Sequence, residues 1–196
     1  MNARLPFTAI LLAGGASRRM GMDKALVPVT DAAGSPRPLW RHQLATLQAL
    51  APVEILVSGP PRPDFPATMR CVPDGLASGG PLAGIAACLA LVTTRWAVVL
   101  AIDLPRMTPG FLDRLLRTAV ADGQGAVPRG PYHYEPLAAV YPQAAADVAG
   151  AALKASRLRL QDFVDELIAA ALVRPFPLKP GDLRLFTNWN ATADLA

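Results

Sequence analysis

The sequence predicts an α/β protein of three layers, α/β/α, in which helices cover both faces of a mostly parallel, Rossmann-like sheet. Short apolar runs alternate with amphipathic runs along the whole chain, and this alternation is typical of parallel strands joined by helical crossovers. The 196 residues are 52% hydrophobic and only 17% charged, a composition that suits one packed core and argues against disorder. We therefore expect a single domain over residues 1–196.

The predicted strands are apolar runs bounded by glycine, proline or polar residues. They lie at 7–12, 25–29, 53–57, 70–72, 96–102, 126–128 and 137–141, with a last edge strand at 173–177.

The predicted helices are segments in which apolar residues recur every three or four positions. The first covers about 38–50 and the last covers 160–172. A second helix buries one stripe, formed by Leu82, Ile85, Leu89 and Val92. A third begins at Pro109, where the missing N–H costs nothing, and its stripe is formed by Leu112, Leu115, Leu116 and Ala119.

A glycine pair followed by basic residues comes directly after the first predicted strand. Gly14 and Gly15 end the apolar run, and Arg18, Arg19 and Lys24 follow. Because glycine has no Cβ, the backbone N–H groups of such a loop can approach an anion closely. The spacing fits neither a Walker loop nor a dinucleotide fingerprint. It favours a longer loop around a polyphosphate, and a simple tight turn with solvated charges is the alternative for the glycine pair alone.

Two aspartates also follow predicted strands. Asp74 comes after the strand at 70–72, and Asp103 comes after the strand at 96–102. Ligands of open α/β sheets bind beyond the carboxyl ends of the strands, so we expect both residues to share one edge with the glycine loop. Asp103 suits Mg²⁺, which takes oxygen ligands and keeps water beside substrate phosphates. A helix cap or a salt-bridged loop residue is the alternative.

Four segments carry a family resemblance. Residues 12–24, Leu-Ala-Gly-Gly-Ala-Ser-Arg-Arg-Met-Gly-Met-Asp-Lys, resemble the signature loop of the molybdenum cofactor guanylyltransferases, a branch of the nucleotidyltransferases. Asp74 with Gly-Pro-Leu-Ala-Gly at 80–84, Ile-Asp-Leu-Pro at 102–105 and Phe-Thr-Asn-Trp-Asn at 186–190 match later motifs in the same order. The resemblance spans nearly the whole chain and implies a nucleotide-binding sheet, with the nucleotide in the N-terminal half and the acceptor in the C-terminal half.

The reaction implied by the resemblance is transfer of GMP from GTP to the terminal phosphate of molybdenum-molybdopterin. A guanine dinucleotide cofactor forms and pyrophosphate leaves. Two anions must meet in such a reaction, so catalysis consists mainly of charge neutralisation and alignment. We assign the catalytic roles to Arg19 and Lys24 as a triphosphate clamp and to Asp103 as the ligand of Mg²⁺.

The binding residues follow from the matching positions. The expected nucleotide contacts are Leu12, Ala13, Gly14, Gly15, Lys24, Ser58, Asp74, Gly80, Gly84 and Asp103. The expected acceptor contacts are Asn188 and Asn190, whose amides face the same way in an extended segment. Ser58 stands where the family can carry asparagine, and Ile102 stands where cysteine often precedes the aspartate. Ala-Thr at 191–192 replaces the common Thr-Pro.

The partners expected are GTP and a molybdopterin-type cofactor, with room for transient contacts with cofactor-insertion or chaperone proteins. The net charge of +4 includes no dense basic run, so we expect no nucleic acid partner. No apolar run reaches the roughly 18 residues of a membrane span, and a cytoplasmic protein is expected. Trp40, His42, His133 and Tyr134 are assigned to packing or to the surface, with His133 a weak candidate for the acceptor side.

Two other functions compete with this interpretation. A cytidylyl or sugar-phosphate nucleotidyltransferase would share the fold, but the Ala-Gly-Gly sequence at 13–15 and the Gly-Pro-Leu-Ala-Gly segment favour guanine. A non-catalytic carrier of cofactor or nucleotide would not need Arg19, Lys24 and Asp103 together.

Overall fold

A seven-stranded sheet forms the centre of the molecule. The computed structural model describes residues 5–14, 24–30, 34–62, 64–66, 68–73 and 79–188. The strands, in chain order, are β1 Thr8–Leu12, β2 Pro28–Thr30, β3 Pro36–Pro38, β4 Glu54–Ser58, β5 Arg70–Val72, β6 Trp96–Ala101, β7 Gly125–Arg129, β8 Ala138–Pro142 and β9 Val173–Pro177.

The main sheet has the strand order β5-β4-β1-β6-β8-β7-β9. Only β8 runs against its neighbours, and every other pairing in this sheet is parallel. The expectation of a mostly parallel sheet is therefore confirmed. All residues of β1 and β6 are buried, as expected for central strands that are covered on both faces.

Five helices cover the sheet: α1 Leu39–Gln48, α2 Gly80–Leu89, α3 Pro109–Asp122, α4 Ala145–Lys154 and α5 Leu160–Ala169. Helices α2, α4 and α5 lie side by side, while α1 packs on β1 and α3 packs on β7 and β8. The arrangement is a three-layer α/β/α fold. Within the described ranges, no helix is both long and apolar enough to cross a lipid bilayer.

Helix α3 shows how the local sequence sets its limits. The Thr108 hydroxyl accepts a hydrogen bond from the Phe111 N–H at 3.3 Å, and Pro109 occupies the first turn. Gly123 ends the helix in the left-handed conformation with φ of 70°, which glycine adopts without a Cβ clash. The predicted stripe of this helix is buried.

The strand predicted at 25–29 is only partly correct. Residues Lys24–Leu26 form a short 3₁₀ helix, and the strand starts at Pro28. It pairs with β3 in a separate antiparallel ribbon, with Pro28 opposite Pro38. Pro28 has no backbone N–H to donate, and among the described strands this three-residue segment pairs only with β3.

Two helical predictions also need correction. No helix is predicted at 145–154 from the sequence, because the residues that α4 buries are the small side chains of Ala145, Ala149 and Ala152 rather than a stripe of large apolar ones. The last predicted helix stops at Ala169 rather than 172, and Ala171 turns into the left-handed region with φ of 55°.

Gly125, the first residue of β7, gives a test of the packing between strands. A Cβ at this position would lie 2.5 Å from the Val140 carbonyl oxygen and 2.9 Å from Val173 Cγ1. Both neighbours belong to adjacent strands and cannot move independently of the sheet. We expect Gly125→Ala to lower the free energy of unfolding by about 1–3 kcal/mol or more, measured by urea denaturation.

The matched control is Gly150→Ala in α4, where an added Cβ would meet nothing within 4 Å. This variant should gain about 0.5–1 kcal/mol, because alanine loses less conformational entropy in a helix than glycine does. Equal effects of the two substitutions would contradict the strand packing described here.

Candidate active site

The carboxyl ends of β1 and β6 hold the candidate site. The two strands are paired so that Leu12 lies opposite Ala101, and the Ile102 N–H donates to the Leu12 carbonyl at 3.1 Å. Gly14 and Asp103 therefore leave the sheet at the same edge, as the sequence analysis expected. We call this edge, with the loops that follow β1, β4 and β6, the carboxyl rim.

Lys24 and Asp103 are brought together at the carboxyl rim. The Lys24 ammonium nitrogen lies 3.8 Å from Asp103 Oδ2, and each side chain is about one quarter exposed or less, at 20% and 24%. This nitrogen–oxygen distance is near the upper limit for an ion pair. The pair leaves both groups accessible to a ligand that carries phosphate and a cation.

The second carboxylate oxygen of Asp103 has the features of a ligand atom. Oδ1 is buried and has no hydrogen-bond partner among the described residues. A buried acceptor without a donor is costly unless a cation or water satisfies it. The alternative of a helix cap is excluded, since Thr108 caps the following helix. No group of three or more His, Cys, Asp or Glu side chains gathers anywhere in the described part of the chain.

Helix α1 holds the Asp103 loop in place. Gln43 is fully buried, and its Nε2 donates to the carbonyls of Leu104 at 2.7 Å, Ala101 at 3.2 Å and Ile102 at 3.4 Å. His42 Nε2 lies 2.9 Å from the Pro105 carbonyl oxygen. The carbonyls on both sides of Asp103 are thus bound from one helix.

Sequence reasoning missed Gln43 and assigned His42 to packing or the surface. The signal for Gln43 was present, since it is a polar residue on the same buried face of α1 as Leu39, Trp40 and Leu47. A buried amide requires partners, but the sequence does not show which segment of the chain supplies them.

The loop after β4 supports the start of the glycine loop. Gly59 has a φ of 108°, and a Cβ there would lie 3.0 Å from Gly14 Cα. Arg62 Nη2 donates to the Ala13 carbonyl at 2.8 Å, and its guanidinium stacks on Phe65 with a distance of 5.3 Å to the ring centroid. Neither Gly59 nor Arg62 was predicted. Both act on the backbone that the sequence analysis assigned to the nucleotide.

The other predicted nucleotide residues lie around this edge. Leu12 and Ala13 are buried, and Ser58 is only 2% exposed at the end of β4, opposite Leu12. Gly80 begins α2 with a φ of 57° and is exposed, while Gly84 is buried one turn further.

Several predicted residues fall outside the part of the chain that the structure describes. They are Gly15, Arg18, Arg19, Asp74 and Asn190. Asn188 is described and exposed. It follows the 3₁₀ helix Pro180–Phe186, whose end is stabilised by the Thr187 hydroxyl donating to the Arg184 carbonyl at 3.1 Å.

The connection between β7 and β8 reaches the carboxyl rim from the other side. The Ala101 N–H donates to the Leu137 carbonyl at 2.7 Å. Within the connection, His133 Nε2 lies 3.0 Å from Glu135 Oε1. Burial raises the pKa of Glu135, and the neighbouring His133 opposes this rise. The backbone of Tyr134 is held by the Gln161 side chain at both its N–H and its carbonyl.

The fold and this edge define a class of protein. A mostly parallel sheet with a glycine loop, a lysine and an aspartate at its carboxyl rim is the arrangement of an α/β nucleotidyltransferase. The model of the MobA-like NTP transferase domain matches residues 9–170, and the chain belongs to this family.

Curated relatives agree with this assignment. The chain is 34% identical to a probable molybdenum cofactor guanylyltransferase of Opitutus terrae, over 94% of this chain and 90% of that protein. It is also 34% identical to the probable molybdenum cofactor guanylyltransferase of Mycobacterium tuberculosis, over 97% of this chain and 92% of that one.

Two solved structures share the fold. Molybdopterin-guanine dinucleotide biosynthesis protein A from Archaeoglobus fulgidus superposes with a TM-score of 0.75 at 24% identity, covering 96% of this chain and 94% of that one. The 2-C-methyl-D-erythritol 4-phosphate cytidylyltransferase from Thermus thermophilus superposes with a TM-score of 0.67 at 18% identity, covering 95% and 94% of the two chains.

Replacing Gln43 tests the support of the Asp103 loop. Gln43→Leu keeps the size of the side chain but leaves three carbonyls without their donor. We expect the free energy of unfolding to fall by about 1–3 kcal/mol in urea denaturation. Amide hydrogen exchange at 102–107 should also become faster than in the wild type.

The matched control is Gln48→Leu, an exposed position on the same helix. This variant should change stability by less than about 0.5 kcal/mol. If Gln43→Leu were equally neutral, the bonds from α1 would contribute nothing to the Asp103 loop.

Replacing Glu135 tests its electrostatic environment. A carboxyl group with a raised folded pKa binds its proton more tightly in the folded state, so stability falls as the pH rises through the interval from the unfolded to the folded pKa. Glu135→Gln removes this titration. We expect the variant to gain stability relative to the wild type as the pH rises from about 4 to about 7, measured by urea denaturation across that range.

His133→Gln provides the comparison for this measurement. It removes the charge that lowers the pKa of Glu135, so the loss of stability with rising pH should become steeper than in the wild type. If the free energy of unfolding changed with pH in the same way for the wild type and Glu135→Gln, the raised pKa of Glu135 would be contradicted.

Proposed function

We propose that this protein transfers GMP from GTP to the terminal phosphate of a molybdopterin-type cofactor. An oxygen of the acceptor phosphate forms a bond to the α-phosphorus of GTP, the bond from the α-phosphorus to the bridging oxygen breaks, and pyrophosphate leaves. The observation that carries the proposal is the placement of Lys24 beside Asp103, at the edge where the glycine loop starts.

In this proposal, the rim acts by neutralising and aligning two anions. Backbone N–H groups of the glycine loop approach the triphosphate, while Arg19 and Lys24 compensate its charge. Lys24 acts as a mobile point charge, and its neighbour Asp103 keeps it near the site before substrate arrives. The loop after β4 keeps the start of the glycine loop in register with β6, through Gly59 and Arg62.

Asp103 fits the divalent cation that a nucleotidyltransferase generally uses. Its buried Oδ1 lacks a partner in the described structure, and a single carboxylate together with substrate phosphates is a common environment for Mg²⁺. When bound, the metal would compensate charge on the phosphates. Asp103 would hold it, and Gln43 would keep the Asp103 backbone from shifting.

The proposed function also divides the chain into a nucleotide-binding N-terminal half and an acceptor-binding C-terminal half. The nucleotide contacts proposed in the N-terminal half follow β1, β4 and β5, including Ser58, Asp74 and Gly80. The acceptor contacts proposed in the C-terminal half are Asn188 and Asn190. In the sheet, β1 lies between β6 and the strands β4 and β5, and Asn188 follows the 3₁₀ helix Pro180–Phe186.

Guanine is the base we propose. The relatives of matching length are named guanylyltransferases, whereas the cytidylyltransferase resembles this chain in fold at 18% identity. The Gly-Pro-Leu-Ala-Gly segment at the start of α2 also favours guanine, and the proposed acceptor follows from the names of the same relatives.

Asp103→Asn and Lys24→Gln test the proposed reaction. Each removes one charge from the site while keeping the size of the side chain. We expect each to lower the rate of GMP transfer from labelled GTP to molybdopterin by about 10²–10³-fold, with a free energy of unfolding close to that of the wild type.

The matched controls are Asp113→Asn and Lys154→Gln, both on exposed helical surfaces away from the rim. They should retain the rate of the wild type. Faster transfer from CTP than from GTP would overturn the choice of guanine. Binding of nucleotide and molybdopterin without release of pyrophosphate would instead support a carrier.

A further inference from the structure

A cavity with two arginines in its lining lies beside the loop that follows β6. Its volume is about 390 Å³, and it is lined by Arg106, Thr108, Arg184 and Leu185. Arg106 follows Asp103 by three residues on the same loop, and Arg184 lies in the 3₁₀ helix that leads to Asn188. The cavity therefore joins the loop of the proposed metal ligand to the segment of the proposed acceptor contacts.

The two arginines of this cavity differ from the other arginines that the structure describes. Each of the others has a carboxylate, a carbonyl, a ring or another contact for its side chain. Arg106 and Arg184 have none among the described residues. Two arginines without partners, on separate elements but in the lining of one cavity, favour binding of an anion beside it.

The surroundings of the cavity do not compensate this charge. The nearest carboxylate on the 3₁₀ helix is Asp182, and it is bound to Arg114 at 2.7 Å. The same bond helps to hold the pKa of Asp182 below its usual value. Thr108 adds a hydroxyl at the start of α3, the end of a helix that favours negative charge. No carboxylate lines the cavity.

The position of the cavity is held by packing on both sides. Phe111, in the first turn of α3, contacts the Phe186 ring at 5.4 Å between centroids and the Phe176 ring at 6.0 Å. The Phe111–Phe186 contact and the Arg114–Asp182 pair attach the 3₁₀ helix to α3, and the Phe111–Phe176 contact attaches β9 to it. The 3₁₀ helix that carries Arg184 is therefore packed against α3, the helix that follows the loop of Arg106.

We propose that Arg106 and Arg184 bind the phosphate monoester of the acceptor. This inference rests on the proposed function and names the residues that recognise the acceptor's charge. A phosphate accepts hydrogen bonds from two guanidinium forks at once. Arg106 shares a loop with Asp103 and Arg184 precedes Asn188 by four residues, so a phosphate bound there lies next to both proposed sets of contacts.

The test measures binding without the transfer reaction. Molybdopterin released from a molybdoenzyme is titrated anaerobically, without nucleotide, into the wild type, Arg106→Gln and Arg184→Gln. We expect Kd to rise about tenfold or more in each variant. The Kd of GTP with Mg²⁺ should stay within about twofold of the wild type. Arg106→Lys should recover part of the lost affinity, because it keeps the charge without the fork.

A second titration isolates the phosphate. Molybdopterin treated with phosphatase should bind the wild type more weakly than the intact compound does, and the two Gln variants should bind it as the wild type does. The matched control is Arg117→Gln on the exposed face of α3, where the arginine is paired with Asp113. This variant should bind every ligand normally, and urea denaturation should show that all variants are folded.

Three results would overturn the inference: an unchanged Kd for molybdopterin, an equal loss of affinity for GTP, or an equal loss for the phosphatase-treated compound. The proposed function fails separately, if wild-type protein with GTP and molybdopterin releases no pyrophosphate. Weaker molybdopterin binding by the Gln variants would still support a phosphate site in that case.

Discussion

The parallel pairing of β1 with β6 is the constraint on which the rest of the site depends. Pairing of Leu12 with Ala101, continued by the hydrogen bond from Ile102 to Leu12, places the two strand ends level. The glycine loop and Asp103 are nearly 90 residues apart in the chain, yet they leave the sheet as neighbours. Because both strands are buried, a shift in register would expose apolar residues and separate these groups. The geometry of the site is therefore stabilised by the same burial that stabilises the fold.

The polar groups behind the carboxyl rim position the backbone of the site more than they stabilise the fold as a whole. Gln43 binds the carbonyls around Asp103, Arg62 binds the carbonyl of Ala13, and Gly59 allows the β4 loop to approach Gly14. Each contact acts on backbone, which leaves the side chains of the rim available to ligands. The Lys24–Asp103 pair is long and partly exposed, and pairs of this kind contribute little to stability. Its value lies in where it places two opposite charges.

Charge is distributed unevenly along the rim. Lys24 pairs with Asp103, and the loop that carries Asp103 also forms part of a cavity lined by Arg106 and Arg184. An enzyme that joins two phosphates has to hold each of them while reducing their mutual repulsion. Two sets of basic residues that adjoin the loop of one acidic residue match this requirement, and they are a property of this chain's own residues.

The local patterns of the sequence determined most of the elements. Apolar runs ending at glycine or proline located the strands of the main sheet, and the stripe of α3 was correct because its caps and its period agree. Helix α4 was missed, since its buried residues are alanines and form no stripe of large apolar side chains. The segment at 25–29 was misjudged because its first residues fold into a 3₁₀ helix and its strand pairs with β3 outside the main sheet. For the site, short motifs were sufficient to select Gly14, Lys24 and Asp103.

What the sequence by itself determined is where most of the strands and helices lie, and which few residues are candidates for the chemistry of the rim, because these features depend on neighbours within a few positions. Only the tertiary structure decided that β8 runs against the sheet, that Gln43 reaches the Asp103 loop and that Arg62 reaches Ala13. It also brought Arg106 and Arg184 to one cavity. These contacts join residues about 40 to 80 positions apart. They depend on how the layers pack against one another, and no local pattern of side chains records that packing.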